Sequence, residues 1–255
     1  MKVVILAGGL GTRMSEYTEA IPKPMVKIGN KPIIHHIMNY YGSYGFKEFI
    51  ICCGYKGEVI KNYFYNLFTF SSYMKMDFSS RELYTEENAA DGWTIELVDT
   101  GDLSMTGGRL KKVEHLLGDR FFLTYGDGLC DVDLDALLDA HVASQLEVTV
   151  TAVTPPARFG RLLLNDSDEV LGFDEKPLIH TDRINGGFFV MEKAFLKRLV
   201  DETTVLEKEP LKSCAEEGLL NAYVHDGFWQ CMDTKRDVEL LTKIWDAGHA
   251  PWSRF

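Results

Sequence analysis

The chain is short of positive charge. It carries 27 Lys and Arg against 38 Asp and Glu, a formal net charge of −11. This excludes general nucleic-acid binding, which draws on clustered cations against the phosphate backbone. Cysteine is sparse: the five, at 52, 53, 130, 214 and 231, are odd in number and show no C-x-x-C spacing. No disulfide framework or zinc-ligand pattern is visible, so reduced thiols are expected, with Cys52 and Cys53 acting as small core hydrophobes. No apolar run approaches the ~18 residues that read as a membrane span, and no basic stretch followed by an apolar one opens the chain. A cytoplasmic protein without a membrane partner is the expectation.

Common catalytic and nucleotide signatures are missing as well. Read from Gly9 and Gly11, the third position of a G-x-G-x-x-G fingerprint falls on Met14, and the strand ending at Cys52-Cys53-Gly54 carries no ribose-binding acid. An NAD-type site is excluded. Nothing near Gly8 supplies the Gly-Lys-Ser/Thr ending of a Walker A loop. The seven histidines lack ligand spacing, and no Ser-His-Asp or Cys-His arrangement can be read.

What is present begins at once. Leu6-Ala7-Gly8-Gly9-Leu10-Gly11-Thr12-Arg13 leaves an apolar strand, and Pro22-Lys23-Pro24 follows with a cation between two rigid neighbours. The glycines let backbone N–H groups approach an anion closely while Arg13 and Lys23 add full charge, a combination suited to a nucleotide triphosphate.

Apolar runs at 3–7, 49–53, 121–123 and 148–153 suit strands buried on both faces, and amphipathic stretches separate them. Asn30 is expected to cap a helix through Ile33, Ile37 and Tyr41, and Asp133 one through Leu134, Leu137 and His141. The second half differs: Arg161–Leu164 and Val170–Phe173 bracket a turn cluster and read as a hairpin, a strand Phe188-Phe189-Val190 follows Asn185-Gly186-Gly187, and a helix is expected over Val238–Trp245. Residues 69–93 are polar, poorly periodic and expected as a loop excursion or subunit contact. With 45% hydrophobic and 25% charged residues, this is an ordinary soluble α/β composition. The expected fold is one Rossmann-like domain over 1–255. Its mixed, mostly parallel sheet is flanked by helices, with a small hairpin-containing extension.

Ligands of such sheets collect beyond the strand carboxyl ends. Asp127, between Gly126 and Gly128, could reach an ion there or be a turn residue bonded to its own backbone. Asp233 could be a metal ligand or only the N-cap of the last helix. Lys176 could aim at a phosphate or be solvated. The loop Ser104–Arg109 offers N–H donors and a guanidinium to an anion, or is only a helix start.

The glycine loop with Pro22-Lys23-Pro24 resembles the signature of the sugar-1-phosphate nucleotidylyltransferases. Ile51–Gly57, Val98–Gly101, Ser104–Leu110, Phe122–Gly128, Ile184–Val190, Gly227–Gln230 and Ala250–Trp252 resemble their cytidylyl branch in particular, with Cys231 where that branch has proline. The resemblance implies transfer of a cytidylyl group from CTP to α-D-glucose 1-phosphate, giving CDP-glucose and pyrophosphate with Mg²⁺. It implies nucleotide binding by Leu6, Ala7, Gly8, Gly9, Gly11, Thr12, Arg13 and Lys23, the phosphates held by Gly8 to Arg13 and Lys23, with Arg13 and Lys23 catalytic. Ser104 and Arg109 would contact the nucleotide, Lys176, Asn185 and Gly186 the sugar phosphate, and Asp127 and Asp233 the metal. Residues 1–150 would form mainly the nucleotide half and 151–255 the sugar half of a homo-oligomer. A thymidylyl- or uridylyltransferase, or a non-catalytic nucleotide-sugar-binding subunit, is the alternative.

Overall fold

Val3–Leu6, four apolar residues in a row, can be a strand only where both faces are covered. In the computed structural model, which describes residues 1–14, 18–69, 74–85, 92–155, 160–174 and 183–254, this strand is central to an eight-stranded sheet. It pairs in parallel with Glu48–Cys53 on one side and Arg120–Tyr125 on the other, and Thr94–Asp99 extends the parallel group beyond Glu48–Cys53. Ile184–Asn185 and Phe189–Glu192 then run antiparallel along Val148–Val153, and Leu220–His225 pairs with that strand in parallel. Phe189–Glu192 also runs antiparallel to Arg120–Tyr125, joining the two groups. The fold is the expected mixed, mostly parallel sheet.

Alternate residues of each strand feed two cores. Val3, Ile5, Phe49, Ile51 and Phe122 face the helices Ile33–Ser43, Gly57–Thr69 and Leu134–Ser144. Val4, Ile50, Phe121 and Leu123 face the other side with Leu110, Phe195 and Cys214. Complete burial of both sets explains why these strands read as continuous apolar runs. Cys52 and Cys53 are buried within them.

Three local expectations are corrected. Asn30 caps nothing: it lies in the turn between Lys27–Ile28 and Lys31–Pro32, and the helix starts at Ile33 after Pro32 with no side-chain cap. Within 69–93, Met74–Asp77 and Glu82–Thr85 form an antiparallel hairpin rather than a loop. Its turn is set by Asp77, whose carboxylate accepts from the backbone N–H groups of Ser79 and Ser80. The strand after Asn185-Gly186-Gly187 begins at Phe189, because Gly187 and Phe188 take φ of 76° and 49°. The Asp133 cap is present, accepting from Asp135 N and Ala136 N, as is the hairpin Arg161–Leu164/Val170–Asp174.

The strands ending at Leu6, Cys53, Asp99 and Tyr125 all point the same way. Their following loops therefore meet at one edge.

Candidate active site

Lys23 is the centre of that edge. It opens the short 3-10 turn Lys23–Met25, whose entry is fixed by Pro22 at φ −68°. Its Nζ donates to Asp127 Oδ2 and to Asp233 Oδ1, each at 2.6 Å. Asp127 comes from the turn after Arg120–Tyr125; its carbonyl accepts from Met232 N and so ties the two acid-bearing loops together. Burial opposes charge on Lys23, but the Coulombic attraction of Asp127 and hydrogen bonds to both carboxylates outweigh it, raising its pKa above the ordinary lysine value. Lys23 is an ammonium held by two carboxylates. Cys231 stands beside them, its Sγ within 4.8 Å of both carboxylates. Burial, then the Asp127 charge, push its thiol pKa upward, so it faces the acids as a neutral SH.

Asp233 is not the helix cap. Thr234 is, in a capping box with Asp237 that also accepts from Asp233 N, and the helix runs Lys235–Asp246. The Asp233 carboxylate is thereby left for Lys23 rather than the helix end.

Two cavities meet at this ion cluster. One is lined by Leu6, Ala7, Gly8, Gly9, Gly11 and Thr12, continues along Ser104 and Arg109, and closes on Lys23, Asp127 and Asp233. The other is lined by Asn185, Gly186, Trp229, Gln230 and Cys231, and shares Tyr125, Asp127 and Asp233 with the first. The sequence-derived residues thus divide between two chambers with the carboxylates at their junction. Arg13 is placed by its backbone in the 3-10 turn Thr12–Met14. Lys176 lies outside the described residues.

Arg109 does something the spacing did not suggest. It is 4% exposed, and its guanidinium donates to Gly8 O, Cys53 O, Gly101 O, Asp102 O and Thr100 Oγ1. The carbonyls that end three adjacent strands are gathered on one planar fork. A Cβ on Gly8 would lie 2.1 Å from Arg109 Nη1, so this glycine is needed for the clamp itself. Ser104 Oγ likewise turns inward, donating to Thr100 O and accepting from Lys112 Nζ at 3.0 Å. Arg109→Lys is expected to keep the charge but strand several buried carbonyls, at a cost of about 2–3 kcal/mol, with a raised KM for nucleotide as the loop loosens. Urea unfolding and initial rates check both.

Tyr125 and Trp229 were not assigned by motif. Tyr125 donates to Glu207 Oε1 and accepts from Asn185 Nδ2 at 3.1 Å; Trp229 Nε1 donates to Gly186 O at 2.7 Å. Asn185 Oδ1 also accepts from Gly187 N at 2.8 Å. These contacts shape the second chamber across more than 100 residues of sequence, from 125 to 229. Only their position beside glycines at strand ends could have signalled them.

The pattern of the nucleotidyl transferase family matches residues 2–233. The chain is 49% identical over 254 residues to the glucose-1-phosphate cytidylyltransferase of Salmonella typhimurium, covering 99% of this chain and 98% of that one. It is 41% identical over 254 residues, 99% of each chain, to a Bacillus subtilis protein named "Probable glucose-1-phosphate cytidylyltransferase". The crystal structure of HddC from Yersinia pseudotuberculosis superposes with a TM-score of 0.71 at 22% identity, over 96% of this chain and 99% of that one, a likeness of fold.

Proposed function

The chain belongs to the nucleotidyl transferase family, and on that premise we propose that it joins CTP to α-D-glucose 1-phosphate, releasing CDP-glucose and pyrophosphate with Mg²⁺. The observation that carries this reading is the meeting of two cavities at Lys23, Asp127 and Asp233. A transfer between two phosphorylated substrates needs two chambers and one point where their phosphates touch.

The glycine-loop chamber, mainly from residues 1–150, takes the CTP triphosphate; the chamber of Asn185, Gly186 and Trp229, mainly from 151–255, takes the sugar phosphate, and Lys176, outside the described residues, is the cation that the family resemblance assigns to it. An oxygen of the sugar phosphate attacks the α-phosphorus as its bond to the bridging oxygen breaks and pyrophosphate leaves in line. No covalent bond to protein forms, so the chain's work is positioning and charge neutralisation.

The residues fit a magnesium ion. Its preferred ligands are oxygens, with one or two carboxylates and the rest water and phosphate; Asp127 and Asp233 already converge on a cation, the Lys23 ammonium. When bound there, Mg²⁺ supplies Lewis-acid neutralisation of phosphate oxygens and a template for both substrates. Lys23, which lines the glycine-loop chamber, would then turn from the carboxylates to phosphate oxygens and, with Arg13, would stabilise the charge that develops on the departing pyrophosphate. Ser104 and Arg109 hold the loops that enclose the nucleotide. Among the described residues no helix is long and apolar enough to cross a membrane. The buried free thiols, Cys52, Cys53, Cys130 and Cys214, and the substrates support a cytoplasmic enzyme. The exposed apolar hairpin bearing Leu162, Leu171 and Phe173 supports self-association.

Pyrophosphate release tests this. Protein, Mg²⁺, CTP and glucose 1-phosphate should release it, with kcat/KM for CTP above UTP and dTTP by at least about 10²-fold, as polar base readout allows. Equal turnover with UTP or dTTP overturns the cytidylyl assignment; no release with any nucleotide overturns the transferase reading.

A further inference from the structure

On the short ribbon that leads from Asp127 to Asp233, a second cluster of metal-binding groups forms away from Lys23. Strand Gly128–Cys130 pairs with Trp229–Cys231, Cys130 opposite Trp229, and His225 ends the neighbouring strand Leu220–His225. Cys130 Sγ, a carboxylate oxygen of Asp131 and a ring nitrogen of His225 all lie within 4.8 Å of one another. Three ligands of different type at that spacing need only small rotations to surround one ion, since zinc takes sulfur at about 2.3 Å and nitrogen or oxygen at about 2.0–2.2 Å.

Three observations single this group out from a chance neighbourhood. Asp131 Oδ1 is shut off from solvent, and its one close partner among the described residues is His225 Nε2 at 2.8 Å, a ring nitrogen that also lies 3.3 Å from Phe228 O. A carboxylate held by a single histidine contact keeps lone pairs that a cation can use. Cys130 is 1% exposed; burial, only partly offset by the backbone N–H of Val132 and reinforced by the Asp131 charge, pushes its thiol up to about 12, so it gives up its proton only to a bound cation. Gly227 packs over the pair: a Cβ at that position would lie 2.4 Å from Asp131 Oδ1 and 2.6 Å from His225 Cε1. Only a glycine strap leaves the ligand groups in place. The Asp131 side chain is 34% exposed, which gives an ion its way in.

We propose that Cys130, Asp131 and His225 form a site for a borderline-soft divalent cation of the zinc type, separate from the oxygen-ligand site at Asp127 and Asp233. The ligand chemistry decides the class. A thiolate and an imidazole select zinc-like ions over magnesium, which prefers oxygen. Binding releases the Cys130 proton to solvent and uses a ring-nitrogen lone pair of His225, so no oxidant or co-reactant is involved. The fourth position is open to water. A filled site ties the end of the Leu220–His225 strand to the ribbon and fixes the strap before Trp229, whose indole lines the proposed sugar chamber.

The test uses the full-length protein, stripped with chelator and then titrated with Co²⁺ or Zn²⁺ in the presence of excess Mg²⁺. One equivalent of Co²⁺ should give a sulfur-to-cobalt charge-transfer band and tetrahedral d–d absorption, and Zn²⁺ should displace it. Cys130→Ser and His225→Gln should each weaken binding by at least roughly 100-fold, since even an outer contact to a metal ligand costs 10–100-fold, and both should abolish the band. Cys231→Ser is the control for the other thiol, which adjoins the proposed magnesium site; it should leave the band intact. A band lost in Cys231→Ser but kept in Cys130→Ser, or no stoichiometric cobalt binding by the wild-type protein, overturns the proposal. Circular dichroism of each variant separates lost binding from misfolding, and a folded Asp131→Asn that still binds wild-type-like removes the carboxylate from the set. Because the readout is metal binding without nucleotide, it stands or falls independently of the CTP assignment.

Discussion

Asp233→Asn is expected to lower kcat/KM by roughly 10³-fold, about 4 kcal/mol of transition-state stabilisation, and Asp127→Asn by a similar factor. Both carboxylates already converge on one ammonium at 2.6 Å, so in the proposed enzyme both serve one magnesium. Removing either takes away most of what the pair does, and the double variant should be little worse than the single ones. Strong non-additivity of this kind marks residues that act as a unit. Initial rates against Mg²⁺ concentration for the three variants check it. A silent Asp233→Asn with unchanged magnesium dependence removes Asp233 from the reaction. Helix capping does not compete as an explanation, because Thr234 and Asp237 do that work; Thr234→Ala should instead cost about 1 kcal/mol of stability and leave the magnesium dependence alone.

The second large effect lies at Lys23. Lys23→Met should lower kcat/KM by roughly 10²-fold or more, the scale of one lost electrostatic contact in a water-poor site. The same substitution should tighten Mn²⁺ binding to the nucleotide-free protein. In the structure the ammonium stands between the two carboxylates proposed to hold the metal, so an ion bound there would have to displace it; with Lys23 gone, two carboxylates face each other uncompensated and attract any cation, or a proton. Mn²⁺ titration followed by electron paramagnetic resonance measures this without turnover. Weaker or unchanged Mn²⁺ affinity in a folded Lys23→Met protein would mean that lysine and metal occupy different places. The expected pairing of poorer catalysis with better metal retention also implies that in the intact protein the metal arrives with the nucleotide, whose phosphates give Lys23 an alternative partner.

The amino-acid order by itself determined the parts whose cause is local. Four-residue apolar runs with no polar alternation can be satisfied only as strands covered on both faces, and so the parallel half of the sheet was legible. Gly8, Gly9 and Gly11 beside a Pro-flanked Lys23 pointed to a shared site, because few other uses need both bare backbone and a rigidly placed cation, and the structure brings all four to the wall of one cavity. Asp133 declared its cap from its own side-chain chemistry. Asn30 misled for the same reason: a capping residue type is also a turn residue type, and the pairing of Lys27–Ile28 with Lys31–Pro32, a tertiary preference, decided between them.

What only the tertiary structure decided is which distant groups share a charge. Nothing in the spacing of Lys23, Asp127 and Asp233 says that one ammonium lies between the two acids; that depends on Met232 N reaching Asp127 O and on the sheet order that brings their loops together. Arg109 reads as an anion contact from its glycine-bearing loop; the structure places it in the lining of the glycine-loop cavity and also turns its fork onto the carbonyls of Gly8, Cys53 and Gly101, since carbonyls left unpaired at strand ends are costly. Cys130, Asp131 and His225 gave no ligand spacing because their order along the chain is irrelevant to where two paired strands and a neighbouring strand end place them. Local pattern fixes what a segment can be; long-range pairing and the cost of leaving buried charge and hydrogen-bonding groups unmatched fix what it touches.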